Sequence, residues 1–116
     1  MNAAGMAFLT VVAAGLGGLA RYGLAQRFNG DFPTGTLVAN TAASGLLAFL
    51  VGWDQVSELV LGVGFAGTLS TWSTLANEVA CLAYNGRVRL ACIYVGVTVA
   101  TGVLVAVVGL EFGALL

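Results

Sequence analysis

Gly64-Phe-Ala-Gly-Thr-Leu-Ser-Thr-Trp-Ser-Thr-Leu-Ala-Asn-Glu78 decides how this chain is read. Five hydroxyl residues, Thr68, Ser70, Thr71, Ser73 and Thr74, fall within seven positions of a long apolar run. Gly62, Gly64 and Gly67 stand just before them, so helix-weakening residues meet residues that can bond a freed backbone. A helix interrupted in hydrocarbon needs that combination, because released N–H and C=O groups must find hydroxyls, water or an ion. Such a turn can aim carbonyls at a cation or donors at an anion. A close-packed face of small residues, with Ser and Thr bonded back to the preceding turn, has the same composition. Composition leaves both readings open.

Outside this stretch the chain has the make-up of a membrane protein. Of its 116 residues, 59% are hydrophobic and 8% charged, whereas soluble domains carry roughly a quarter charged residues. Uncharged runs cover Met1–Ala20, Phe32–Trp53, Leu59–Asn77 and Leu90–Leu110. Each is about 19–22 residues, enough to cross the ~30 Å hydrocarbon core as a helix. The expectation is a single all-α domain over 1–116, with transmembrane spans at about 3–24, 33–53, 59–84 and 90–110. A net charge of −1 suggests no nucleic-acid partner. No basic segment precedes the first apolar run, so no signal peptide is expected. Histidine is absent and the only cysteines are Cys81 and Cys92. Metal ligation by His or Cys is therefore not expected, and the two thiols read as buried small apolar residues. No nucleophile–base pair is evident, so no enzymatic activity is expected.

Polar residues inside the spans are the candidate functional groups. Asn40, with Thr41 and Ser44 beside it, forms a polar patch in span 2. It can serve as interhelical glue or line a pore, and the sequence does not choose. In span 3, Trp72 and Leu75 share one helical face, while Thr71, Thr74 and Glu78 share another. Span 4 carries Tyr94, Thr98 and Thr101 at i, i+4 and i+7, the spacing of one helical line. In span 1, Gly15 and Gly18 share a face suited to close helix approach, and Arg21 and Tyr22 anchor its end at the interface. Arg27, Arg87 and Arg89 fall in the loops after spans 1 and 3, and Arg21 lies on the same side, at the end of span 1. The positive-inside rule places those loops in the cytoplasm and both termini outside. Four short helices can scarcely shield Asn40 and an interrupted span 3 from lipid, so an oligomer is expected, most simply a two-fold pair.

Three segments carry a family resemblance: Gly17-Gly-Leu-Ala-Arg-Tyr22, Pro33-Thr-Gly-Thr-Leu-Val-Ala-Asn40 and Gly64–Glu78. Together they resemble the CrcB/Fluc fluoride channels, over nearly the whole chain. The resemblance implies an interrupted span 3 and a dimer of oppositely inserted subunits, passing fluoride passively through pores at their interface in a bacterial plasma membrane. It implies a structural, untransported sodium ion at the dimer centre, held by backbone carbonyls at the positions of Gly67 and Ser70. It implies a fluoride pathway along Asn40, Thr71, Trp72, Thr74, Leu75, Tyr94 and Thr98. Gly18 and Arg21 take structural or interface roles.

The departures from the family pattern carry weight too. Trp72 and Leu75 stand where the family has two phenylalanines whose ring edges face fluoride. Tryptophan keeps a positive edge, but leucine has no quadrupole. Such a lesion, with arginines in only one set of loops, points to one half of a heterodimer completed by a homologous subunit of opposite bias. A proton-coupled small multidrug exporter is the alternative from another class, although span 1 lacks the titratable carboxyl it needs. A non-conducting assembly subunit is the third reading.

Overall fold

The computed structural model describes every residue, Met1–Leu116, and is entirely helical. Helix α1 (Ala3–Phe28) is capped by Asn2, whose side chain accepts from Gly5 N–H. After a short loop, α2 (Thr34–Phe49) starts directly behind Pro33, where proline costs least because a first-turn N–H has no helical partner. A turn with Gly52 at φ 85° leads to Asp54, which caps α3 (Gln55–Ser57). The Ser57 N–H and hydroxyl hold the Asp54 carboxyl below its ordinary value. That cap is retained above the ordinary carboxylate range and lost as pH falls through the lowered value. A π-helical stretch, Glu58–Ala66, runs into α4 (Gly67–Leu69). Helix α5 (Trp72–Tyr84) then leads through Gly86, at φ 77°, into α6 (Val88–Leu115).

Three segments are long and apolar enough to cross a membrane: Ala3–Phe28, Gln55–Tyr84 and Val88–Leu115. At ~1.5 Å per residue, the 16 residues of α2 cover ~24 Å, short of the expected second span, 33–53. The chain turns just after it, at Leu50–Gly52. Helix α6, with 28 residues, exceeds the ~30 Å core and overruns the expected 90–110 at both ends.

Within Gln55–Tyr84 the backbone leaves helical geometry at two residues. Ser70 lies at φ −75°, ψ 145° and Thr71 at φ −149°, ψ 121°. Two small cores form on either side of this point. Ala39 and Ala43 of α2 pack on Ala66 and Leu69. Leu75 and Leu82 of α5 pack on Ala91 and Tyr94 of α6.

Small residues set the helix spacing. A Cβ at Gly17 would run into the Phe65 carbonyl and the Thr68 hydroxyl, and one at Gly35 into the Leu24 carbonyl. At Gly113 it would meet the Phe49 carbonyl. Of the three glycines in Gly15–Gly18, it is Gly17 that lies against a neighbouring helix; Gly15 and Gly18 face open space. Only 20 of 116 residues are buried, so most of the apolar surface is left for lipid or another chain. Cys81 and Cys92 are free and lie on that outer surface, not in the core as the sequence suggested, because the faces that carry them point away from the neighbouring helices.

Gly35→Ala, which forces backbone on backbone, should destabilise the fold by about 1–3 kcal/mol. Gly23→Ala, helical with nothing within 4 Å of the new carbon, should be neutral or stabilising by up to about 1 kcal/mol. Unfolding in detergent micelles separates the two; equal effects would contradict the α1–α2 packing.

Candidate functional site: the interrupted helix and its polar surroundings

Asn40 of α2 reaches the interruption directly. Its Oδ1 accepts from Thr71 N–H at 2.7 Å, and its Nδ2 donates to the Thr71 carbonyl at 3.3 Å. Asn40 and Thr71 are both buried. The Thr71 side chain then caps α5, its Oγ1 accepting from Thr74 N–H at 3.2 Å and donating to Thr74 Oγ1 at 3.1 Å. In an unbroken α-helix, Thr71 N–H would close on the Gly67 carbonyl and Thr74 N–H on the Ser70 carbonyl. Both donors are taken by side chains instead. The carbonyl end of one half-helix and the amide end of another therefore meet at Ser70–Thr71, an arrangement of opposed partial charges.

Thr68 secures the preceding turn. Its hydroxyl lies 2.8 Å from the Ala14 carbonyl of α1 and 3.0 Å from the Gly64 carbonyl of its own helix. Ser44 donates back to the Asn40 carbonyl at 3.0 Å. Thr41 and Thr101 share a hydroxyl bond at 3.0 Å between α2 and α6.

A second polar group lies one to two turns further along α5. Glu78 accepts at Oε2 from Asn29 Nδ2 at 2.9 Å and from the Thr36 hydroxyl at 3.0 Å. Its Oε1 accepts from the Tyr94 hydroxyl at 3.0 Å. Asn29 also accepts Thr36 N–H at 3.1 Å, so one carboxyl ties the α1–α2 loop, α2 and α6 together. Tyr94 is fully buried and meets Phe32 edge-on, with ring centroids 5.3 Å apart. Glu78 also lines a cleft of about 180 Å³ with Asn29, Asp31, Asn85 and Arg87. The Arg87–Asp31 pair at its rim, 3.8 Å and solvent-exposed, contributes little stability.

The remaining candidates fall as follows. Leu75 is buried against Leu82 and Tyr94, whereas Trp72 is 79% exposed. Both line a largely apolar groove between α5 and α6 that includes Thr98 and Val95. Thr98 donates to the Tyr94 carbonyl at 2.7 Å, so its hydroxyl proton is held within its own helix. Arg21 is half-buried within α1, about two turns before its end at Phe28. No buried side-chain nitrogen or oxygen lacks a partner. The Asn29–Thr36–Glu78 link escaped sequence reasoning. A lone acid in an apolar span was its one visible signal, since Asn29 lies 49 residues from Glu78.

Apolar helices that cannot bury their own surface, one of them interrupted beside a buried amide, define a multi-pass helical membrane protein. Residues 8–110 match the family described as "CrcB-like protein, Camphor Resistance (CrcB)", and the chain belongs to that family. A "Fluoride-specific ion channel FluC" of Methylobacterium nodulans is 37% identical, over 79% of this chain and 82% of the relative. "Fluoride-specific ion channel FluC 2" of Cutibacterium acnes is 37% identical, over 89% and 93%. The protein of the first name in Pyrococcus abyssi is 41% identical, over 72% and 75%.

Tyr94→Phe, which removes one of three donors from Glu78, should cost about 1–2 kcal/mol of unfolding free energy. Combined with Glu78→Gln, the two losses should fall short of additive by about 0.5 kcal/mol or more. Strict additivity would show that the two side chains are not coupled.

Proposed function

We propose that this chain is a subunit of a fluoride-specific channel that lets fluoride leave the cytoplasm passively. The observation that carries the reading is the interruption at Ser70–Thr71, bonded by Asn40, in a chain whose relatives bear the fluoride-channel name. Hydrogen fluoride crosses lipid as a neutral molecule, ionises in a less acidic cytoplasm and is trapped. An anion pore lets the membrane potential expel it without fuel.

Donors around the interruption suit a small anion. Asn40 has one amide hydrogen beyond the one given to Thr71, the Thr74 hydroxyl proton has no acceptor within the chain, and Trp72 offers an indole N–H at the exposed edge. Tyr94 and Thr98 hold their protons on Glu78 and on the Tyr94 carbonyl. They can serve a passing anion only by exchanging partners. Selectivity would then rest on replacing water with fixed donors in a narrow path.

The proposal includes a sodium ion at the centre of an antiparallel pair, held by the Gly67 and Ser70 carbonyls of each subunit. The residues fit such an ion: uncharged oxygens suit a hard monovalent cation, and both carbonyls have lost their helical donors to side chains. When bound, the ion would supply fixed positive charge that joins the subunits.

A homologous partner of opposite orientation is part of the reading. All four arginines lie in the loops after the first and third spans or at their ends, which favours insertion one way round. Leu75, buried and non-aromatic, leaves this chain without the ring edge that a second subunit could provide. The numeral in the name of the Cutibacterium relative is in keeping with organisms holding two such chains. The exporter reading fares worse: α1 has no acidic residue, and the one carboxyl inside the bundle is engaged by three donors.

Fluoride efflux from sodium-loaded liposomes tests the reading, for this chain alone and with a homologous subunit from the same genome. Efflux from the mixture alone is expected, and Leu75→Phe should raise it. Efflux from the single chain would sink the heterodimer. Silence from both folded preparations would leave an assembly subunit without conduction.

A further inference from the structure

Resting on the channel reading above, we propose that Asn40 is a positioning residue for the cation site, acting through the backbone of Thr71. Both of its hydrogen bonds to the interruption fall on one peptide residue, Thr71. Oδ1 takes the N–H that would otherwise close on the Gly67 carbonyl, and Nδ2 holds the same residue's carbonyl from the other side. Thr71 then repeats the device one turn on, its Oγ1 taking the N–H that would close on the Ser70 carbonyl. Two side chains in series thus release two carbonyls three residues apart on one strand of backbone. Their release is what lets them turn toward a shared ion.

The packing explains why the device depends on Asn40. Ala39 and Ala43, on either side of it, are fully buried against Ala66 and Leu69, so α2 cannot slide to offer another group. Without the amide, the Thr71 N–H would be buried with no partner, a cost of about 1–3 kcal/mol. Its nearest remedy is to return to the Gly67 carbonyl and re-form a helical turn. That carbonyl would then point along the helix axis and leave the ion. Groups that orient metal ligands without touching the metal commonly change affinity by about 10–100-fold when removed.

The test is the melting temperature of this full chain co-purified with its homologous subunit from the same genome, across a sodium chloride series. Choline chloride holds the ionic strength constant. The wild-type chain should show a saturable rise specific to sodium. Asn40→Ala should move the midpoint of that rise up by about tenfold or more. Asn40→Asp keeps an oxygen that accepts Thr71 N–H and should leave the midpoint no higher than in the wild-type chain. A lower melting temperature in sodium and choline alike, with the midpoint unchanged, would overturn the proposal, since it marks Asn40 as ordinary packing glue. Should Asn40→Ala fail to fold, Thr71→Ala takes its place. There a rise of about tenfold or more is expected, and an unmoved midpoint overturns the proposal equally. Absence of any sodium response in the wild-type complex removes the sodium reading itself, an outcome visible before any substitution is made.

Discussion

The side chain of Asn40 spends both ends of its amide on the backbone of one residue, Thr71, and the centre of the bundle is arranged around that bond pair. Hydrocarbon offers no water to satisfy a peptide group that leaves a helix. The chain can open its third apolar segment only because another helix carries a matched donor and acceptor to the opening. Ala39 and Ala43 bring α2 close enough for that reach, and Ala66 and Leu69 receive them. Thr71 continues the accounting by capping α5 with its own hydroxyl. A short polar relay thus takes the place of the missing helical bonds.

Around this centre the fold is held by contact between small residues more than by any large core. Gly17, Gly35 and Gly113 allow backbone to lie on backbone where any side chain would collide. In a membrane such proximity substitutes for the hydrophobic drive that lipid removes. The same economy leaves large apolar faces uncovered. Trp72 and Tyr84 are almost wholly exposed, a surface compatible with lipid or a second subunit. Trp72 lies on that outer side, at a groove between α5 and α6 whose lining also includes Thr98 and the buried Leu75.

Glu78 plays the complementary part near one end of the bundle. A carboxyl in an apolar segment must be met by donors or by charge, and here three neutral donors from three elements meet it. The α1–α2 loop, the start of α2 and the start of α6 are drawn to one point in consequence. The cleft with Arg87 and Asp31 at its rim opens beside that point. Polar groups thus join the two small apolar cores that the interruption keeps apart.

The sequence alone determined that this chain is helical and apolar enough to cross a membrane, because composition and run length carry that information locally. Three motifs in order were enough to indicate its family. It also drew attention to Asn40 and the hydroxyls of 68–74, since polar groups in hydrocarbon need partners. Their partners were another matter. Asn40 meets Thr71 across 31 residues, and Glu78 meets Asn29 across 49; no local pattern encodes such pairs. Tertiary structure alone decided that Gly17, not Gly15 or Gly18, touches a neighbouring helix, and that Trp72 faces outward while Leu75 packs inward. It likewise left α2 at 16 residues and put both cysteines on the outer surface. Helical periodicity tells which residues share a face. Only the packing of the other helices tells which face is turned in.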